Sequence, residues 1–303
     1  MKSIILDCNH FLNRNFHIAS FQHLSANIDG KEVLTGAAYG FIWSIKKVFA
    51  EKEPSDVVYA AWDGGGKNWR HEVDPNYKAT RSQKVEDFYF QLNLSYTFLQ
   101  LLGVTQYKAV GVEADDLIGS ITKRERIKGN KVLIISSDKD FNQLVSKHVN
   151  ILHPEMANNS SKLMTPEQIK EDYGIEPHQF ADYLALLGDN GDNIQGIDGV
   201  GKKTAKELIL GNETIDNIIN SDVHYLLKDG EKKVVSNKLQ EKLNRSKDIL
   251  KISKQLVRIK CDFDLNKTEQ KDKPNFIELK NQFKKFGFNS CLQRFNEFVA
   301  EFS

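Results

Sequence analysis

Proline, cysteine and long apolar runs are all scarce in this chain of 303 residues. No segment approaches the ~18 consecutive apolar residues of a membrane span, so a membrane-embedded chain is not expected. The three cysteines, Cys8, Cys261 and Cys291, are odd in number and far apart. They suit neither a disulfide framework nor a zinc knuckle, and they point to a reducing cytoplasm. The start, Met1 to Phe11, carries one basic residue and a short apolar run. That is too little for a signal peptide and reads as a first strand. Six prolines leave room for a helix-rich chain. Net charge is nearly absent, with 42 basic against 41 acidic residues.

What is present is enough for a core: 40% hydrophobic and 27% charged residues exclude a wholly disordered chain. The length suggests about two domains and needs no disulfide or structural metal. The charge is unevenly placed. Gly199 to Lys260 holds 14 Lys/Arg and 8 Asp/Glu, a local excess of +6. A basic module beside clustered acids suggests a polyanion handled with metal ions.

Three apolar runs each end in an acid: Ser3–Asp7, Val57–Asp63 and Lys131–Asp138. β-branched runs of this kind suit strands buried on both faces of a parallel sheet. Helical patterns separate them over roughly 36–51 (Tyr39, Ile42, Trp43, Lys46), 84–102 and 113–128. The alternation predicts an α/β fold whose ligands bind beyond the C-terminal strand ends, where Asp7, Asp63 and Asp138 fall. After Pro154 the strand signal fades. Thr165-Pro166 resembles a capped helix start, and from about Phe180 the pattern is helical and basic.

Five acidic stations stand out: Asp7; Asp63; Glu113, Asp115 and Asp116; Asp138 and Asp140; Asp189 and Asp192. Glu113/Asp116 and Asp189/Asp192 are spaced three apart, so each pair can share a face. An acid at a strand end often only caps the next helix. Against that stands the repetition at three strand ends, with no matching arginines nearby in sequence. Converging carboxylates without cations would repel and some would have raised pKa values. Oxygen donors without His or Cys favour Mg²⁺ or Mn²⁺ over zinc.

Gly196 followed by Gly201-Lys202 nearly spells a P-loop, but Lys203 stands where a Ser/Thr belongs and no buried strand precedes it. A helix–hairpin–helix reads better. Gly199 and Gly201 would let the turn approach a phosphate, helix-start amides including that of Thr204 would meet the anion, and Lys202 and Lys203 would add charge. Lys67, Arg70, Lys78, Arg81 and Lys84, interleaved with Trp69 and Tyr77, form either a solvated loop or a phosphate grip with aromatic faces. The terminal run Leu292, Phe295, Phe298, Val299, Phe302 reads as a packed helix, or else as a tail docking on a sliding clamp or single-strand-binding protein.

Asp7, Trp62-Asp63-Gly64, Tyr77–Arg81, Gly111–Asp116, Ser137–Asp140 and Gly188–Asn193 occur together in this order. In that pattern the chain resembles the 5′-nuclease (flap endonuclease) superfamily, above all bacterial and bacteriophage 5′→3′ exonucleases, including phage enzymes called ribonuclease H. The likeness covers roughly residues 1–215. It implies a PIN-like, mostly parallel sheet with helices on both faces. A helical arch would fall at about 66–100 within a catalytic domain 1–180, and a helix–hairpin–helix DNA-binding region would occupy 181–303. It implies a first metal held by Asp7, Asp63, Glu113, Asp115 and Asp116, and a second by Asp138, Asp140, Asp189 and Asp192. Lys78 and Arg81 match contacts to the reactive phosphate, with Arg70 and Tyr77 nearby on nucleic acid, and a K⁺ ion is expected on the hairpin loop carbonyls. The expected enzyme is a stand-alone monomer in a bacterial cell or phage-infected host. It would cut 5′ flaps, nicked duplex and RNA–DNA primers during replication, leaving 5′-phosphate and 3′-hydroxyl ends. A non-catalytic junction-binding protein is the alternative on the same fold. An aspartate phosphatase is disfavoured, because Cys8 and Asn9 follow Asp7 where a second Asp is required.

Overall fold

The computed structural model describes residues 1–18, 21, 23–154 and 161–302. They form two compact units, neither continuous in sequence. One comprises Met1–Gly65, Gln83–Ser136 and Cys261–Ser303; the other comprises Gly66–Ser82 and Ser137–Lys260.

The first unit is built on a sheet. Lys2–Asp7 runs parallel to Val57–Ala61 on one side and to Lys131–Ile135 on the other. Thr105–Tyr107 continues the parallel set beside Val57–Ala61, and Glu269–Gln270 closes that edge antiparallel. Ile5, Leu6, Ala60, Ala61 and Ile134 are fully buried, as continuous apolar runs in a parallel sheet must be. Helix Ala114–Ile127 packs across the three central strands. Helices Cys8–Phe16, Gly36–Glu51 and Glu86–Leu101 pack on one another.

The Gly36–Glu51 helix lies where the periodicity predicts it, but its buried stripe is Phe41, Ile42, Ile45 and Phe49. Tyr39 and Trp43 are half-buried under the C-terminal segment, edge-on to Phe288 and Phe298 at 5.2 and 5.7 Å. Phe295, Phe298 and Phe302 are buried around helix Phe295–Ala300. The terminal run is therefore a packed element, and its phenylalanines are not displayed for a partner.

The second unit is mainly helical, with Phe180–Leu187, Lys202–Asn212, Ile215–Asn220 and Lys247–Val257 at its centre. Thr165 caps helix Pro166–Tyr173 with Pro at its start, as expected. Although the strand signal fades after Pro154, short strands follow. Lys162–Met164 pairs with Val149–His153, and Tyr225–Lys228 forms a hairpin with Glu231–Val234. That hairpin turns on Asp229-Gly230, and a second one in the first unit turns on Asp29-Gly30. All four turn residues have φ between 52° and 82°, the left-handed pair that a two-residue type I′ turn requires.

Glu125 is among the polar groups buried outright in the first unit. The Glu125 side chain is 0% exposed. It accepts from Ser3 Oγ (2.9 Å), Asn130 Nδ2 (2.8 Å), Arg124 Nε (2.9 Å) and Lys128 Nζ (2.9 Å). Burial alone would raise its pKa, but these donors win and hold it at about 2. A folded pKa below the unfolded one adds stability above about pH 4.5 that is lost as pH falls toward 2. Glu125→Ala should therefore cost about 3 kcal/mol at pH 7. In urea unfolding, the gap to wild type should narrow steadily from pH 5 to pH 3. A gap independent of pH would show that packing, not charge, is lost.

Candidate active site

Each acid of the first unit is set by the end of a strand or the start of a helix. Asp7 ends the first strand and caps helix Cys8–Phe16, accepting from the His10 amide at 3.0 Å. Its other oxygen accepts from Ser136 Oγ at 2.7 Å. Asp63 follows strand Val57–Ala61, and its Oδ1 accepts from the Ala114 amide at 2.8 Å. That bond draws Asp63 to the start of helix Ala114–Ile127, where Glu113 is the cap residue and Asp115 and Asp116 fill the first turn. The helix start favours negative charge there. Asp116 is fully buried, Glu113 and Asp115 are half-buried, and Asp63 is exposed. For Asp7 and Asp63 capping and clustering are thus not rival explanations, since bonds from helix-start amides hold these two acids in place.

In the second unit, Asp138 caps the short helix Lys139–Leu144 through the Asp140 amide at 2.9 Å. Asp189 accepts from the amides of Gly191 (2.8 Å) and Asp192 (3.3 Å). Lys139 Nζ stands 2.9 Å from Asp189 Oδ2. Burial works against both charges in that pair, yet the contact prevails: the Asp189 pKa is lowered and the Lys139 pKa raised. Asp140 has the opposite fate. Burial and the Asp138 charge push it up to about 7, with Asp189 and Asp192 adding to the rise. Its Oδ1 is buried without a hydrogen-bond partner.

The second set does have cations beside it, against the expectation that none would. Arg81 donates to Asp192 Oδ1 and to the Gly191 carbonyl, the latter at 3.2 Å. Lys78 Nζ is 3.9 Å from Asp192 Oδ2, and the Tyr77 hydroxyl donates to the same oxygen at 3.2 Å. The backbone joins in. Lys78 N–H donates to the Asp192 carbonyl at 2.9 Å, holding Lys78 at φ 59°. Asn193 Nδ2 donates to the Asn76 carbonyl at 2.8 Å. Residues 76–81 are stapled to the 191–193 turn, although they lie over a hundred positions apart.

Two expected nucleic-acid contacts are placed differently. Arg70 is 3% exposed and donates to the carbonyls of Leu256 (2.9 Å) and Arg258 (3.0 Å). Tyr77 is also 3% exposed and offers no open ring face for a base. Both brace the segment that carries Lys78 and Arg81. Lys84 reaches Asn13 and lies over the Phe88 ring in the first unit. Gly199, Gly201, Lys202 and Lys203 are exposed and Thr204 half-buried, on the loop and first turn that join helices Phe180–Leu187 and Lys202–Asn212. Sequence reasoning missed Lys139, Ser136 and Asn9, whose Oδ1 accepts from the Asp63 amide at 2.9 Å. The Ser136-Ser137-Asp138-Lys139 string was the available signal.

Two family models cover the chain almost end to end: 5′-3′ exonuclease, N-terminal resolvase-like domain, over residues 2–174, and 5′-3′ exonuclease, C-terminal SAM fold, over 175–278. The chain belongs to the 5′-3′ exonuclease family. A 5′-3′ exonuclease of Buchnera aphidicola (subsp. Schizaphis graminum) is 33% identical over 289 residues, covering 94% of this chain and 96% of that one. The thermostable DNA polymerase I of Thermus thermophilus is 35% identical over 260 residues. There the match takes in 86% of this chain but only 29% of the polymerase, so the chain spans under a third of that relative. Among solved structures, bacteriophage T5 D15 protein co-crystallised with metal ions has TM-score 0.65 at 20% identity, covering 100% of both chains. The exonuclease family's fold, a mostly parallel sheet with helices followed by a helical region, is the one observed here.

The donor chemistry fits a divalent cation. All the candidate donors are hard carboxylate oxygens, and Asp140 Oδ1 is buried and unbonded. Among the described residues, no three His, Cys, Asp or Glu side chains stand close enough to hold an ion by themselves. Because the Asp140 pKa is raised, its contribution to stability is present below about pH 4 and lost as pH rises through about 7. In chelator at pH 8, Asp140→Asn should therefore be more stable than wild type by about 1–3 kcal/mol. The advantage should shrink at pH 5 and vanish only below about pH 4. Thermal unfolding at the two pH values checks this; a variant that melts lower at pH 8 would contradict it.

Proposed function

We propose that this exonuclease-family chain is a structure-specific 5′-nuclease that hydrolyses phosphodiesters with two divalent metal ions, Mg²⁺ or Mn²⁺. The observation that carries the proposal is the stapling of the Lys78–Arg81 segment onto Asp192, which sets phosphate-seeking cations beside a carboxylate set containing an unbonded buried oxygen. Asp7, Asp63, Glu113, Asp115 and Asp116 would hold one ion, and Asp138, Asp140, Asp189 and Asp192 the other. Bound there, the ions would supply an activated water and counter-charge for the attacking and leaving oxygens.

The chain's own part is electrostatic and positional. Lys78 and Arg81 are held on Asp192, so a phosphate that approaches competes with this carboxylate for both. The Lys78 backbone is fixed while its side chain remains 22% exposed, and the ammonium can follow charge as it grows on the phosphate oxygens. Arg81, 55% exposed, can hold the phosphate bidentately in the ground state as well. Tyr77 and Arg70 keep this arm rigid.

Substrates in this reading are 5′ flaps, nicked or gapped duplex and RNA–DNA hybrids, leaving 5′-phosphate and 3′-hydroxyl products. The T5 flap endonuclease, a fold relative, has been captured as a pseudo-enzyme–product complex with DNA and metal ions, and the Rad2 catalytic core with DNA substrate. We take residues 1–180 as the catalytic part, with its arch near 66–100, and 181–303 as the DNA-binding part. The boundary between the family models at 174/175 supports a division near residue 180, while residues 261–303, with strand Glu269–Gln270, belong to the first, sheet-bearing unit. A monomer in the bacterial cytoplasm completes the proposal; no helix among the described residues is long and apolar enough to cross a membrane. A K⁺ ion on the hairpin carbonyls remains part of the proposal. Retention of all nine carboxylates favours the nuclease over a non-catalytic junction binder.

The deciding experiment is digestion of 5′-flap, blunt duplex and RNA–DNA hybrid with product lengths resolved. Cleavage should be absent in EDTA and return with Mg²⁺ or Mn²⁺; full activity in chelator would sink the proposal. In single-turnover assays, Lys78→Ala should slow cleavage on the order of 10²–10³-fold, with flap affinity in Ca²⁺ changed by less than about tenfold. Arg81→Ala should impair both. Normal chemistry with poor binding in Lys78→Ala would make that lysine a DNA grip only.

A further inference from the structure

We propose that Lys242 is a positioning residue that sets the Asp198–Gly199 peptide and thereby aims the Gly199 amide at a duplex phosphate. The inference rests on reading the 194–205 segment as a backbone grip on DNA.

The turn is well defined. Val200 N–H donates to the Ile197 carbonyl at 2.9 Å, closing a four-residue turn. Gly199 has φ 75°, and Asp198 is not among the residues with positive φ. That combination is a type II turn. Types I and II differ by a flip of the central peptide, here the one joining Asp198 to Gly199, and flipping it reverses the direction of the Asp198 carbonyl and the Gly199 N–H.

Lys242 decides between them. Its Nζ stands 2.9 Å from the Asp198 carbonyl oxygen and 3.1 Å from Asp198 Oδ2. A Cβ added at Gly199 would meet the same ammonium at 3.2 Å, so the contact is close on that side. The peptide is planar and trans, so with its oxygen held toward Lys242 its N–H points the other way. The next structured residues are Gly201, which caps helix Lys202–Asn212, and the exposed Lys202 and Lys203. The Gly199 amide thus lies two residues before a helix start that already favours anions.

The anchor is firm. Lys242 projects from helix Asn237–Arg245, which Leu243 fixes in the core at 0% exposure. Two of the three ammonium donors are already engaged within the chain, which leaves Lys242 poorly suited to a phosphate of its own. Losing it would let the central peptide flip. The cost would appear as a misdirected amide, not as a missing charge contact.

The salt dependence of duplex binding separates these possibilities, because each direct lysine–phosphate contact contributes about one unit of log–log slope. Binding of flap duplex in Ca²⁺ would be measured across a salt series for wild type, Lys242→Ala, Lys242→Arg, Gly199→Ala, the Lys242→Ala/Gly199→Ala double variant and Lys202→Ala/Lys203→Ala. Lys242→Ala should weaken binding about 5–20-fold with the slope unchanged. Lys242→Arg, able to reach the same carbonyl, should recover most of the loss. Gly199→Ala should mimic Lys242→Ala, and the double variant should bind no worse than either alone. The Lys202/Lys203 pair should instead lower the slope by about 2. Wild-type binding by Lys242→Ala would overturn the inference, as would a slope reduced by about 1, which would make Lys242 a direct phosphate contact. If the Lys202/Lys203 pair binds and titrates like wild type, the hairpin grip itself fails, and the inference with it.

Discussion

Carboxylates held together away from water repel one another, and the second acid set is built around containing that repulsion. Asp189 is relieved by Lys139 and two loop amides, and Asp192 by Arg81, Lys78 and Tyr77. Asp138 has its amide contact, but Asp140 Oδ1 is left unbonded in a buried position. A fold that needed only stability would replace Asp140 with an apolar or amide side chain. Keeping a carboxylate where burial and neighbouring charge both oppose it is the strongest physical argument that this place serves a cation.

The same arrangement couples positioning to chemistry. The basic segment is tied to the acid turn by side chains and by the backbone, so the groups that would meet a phosphate move with the groups that would hold an ion. In the first unit the sheet does this work: Asp7 ends one strand, and Asp63, beyond a neighbouring strand, is drawn to a helix start that favours negative charge. Acids that cap helices are pinned in one rotamer before any ligand arrives, and such preorganisation is what electrostatic catalysis requires.

Much of this could be read from the sequence because buried parallel strands leave an unusual mark, a continuous apolar run ending in an acid. The three runs and the helices between them lie close to their expected places. The two hairpins were less visible, since Tyr225–Val234 and Ser25–Leu34 are short and partly polar. Their Asp-Gly turns were nevertheless legible by the rule for two-residue loops. What no local pattern could show was long-range burial. Arg70 and Tyr77 look like surface grips in a basic, aromatic stretch, yet the carbonyls of Leu256 and Arg258 and the carboxylate of Asp192 turn them inward. For the same reason sequence reading found no cations for the second acid set, because Arg81 and Lys78 lie over a hundred residues away from Asp192.

The central claim is that the acids hold two divalent ions, and counting bound Mn²⁺ tests it most directly. Electron paramagnetic resonance of the protein titrated with Mn²⁺ at pH 8 should give two sites per chain in the wild type and one in Asp140→Asn. No saturable site in the wild type, or an unchanged count in Asp140→Asn, would contradict it.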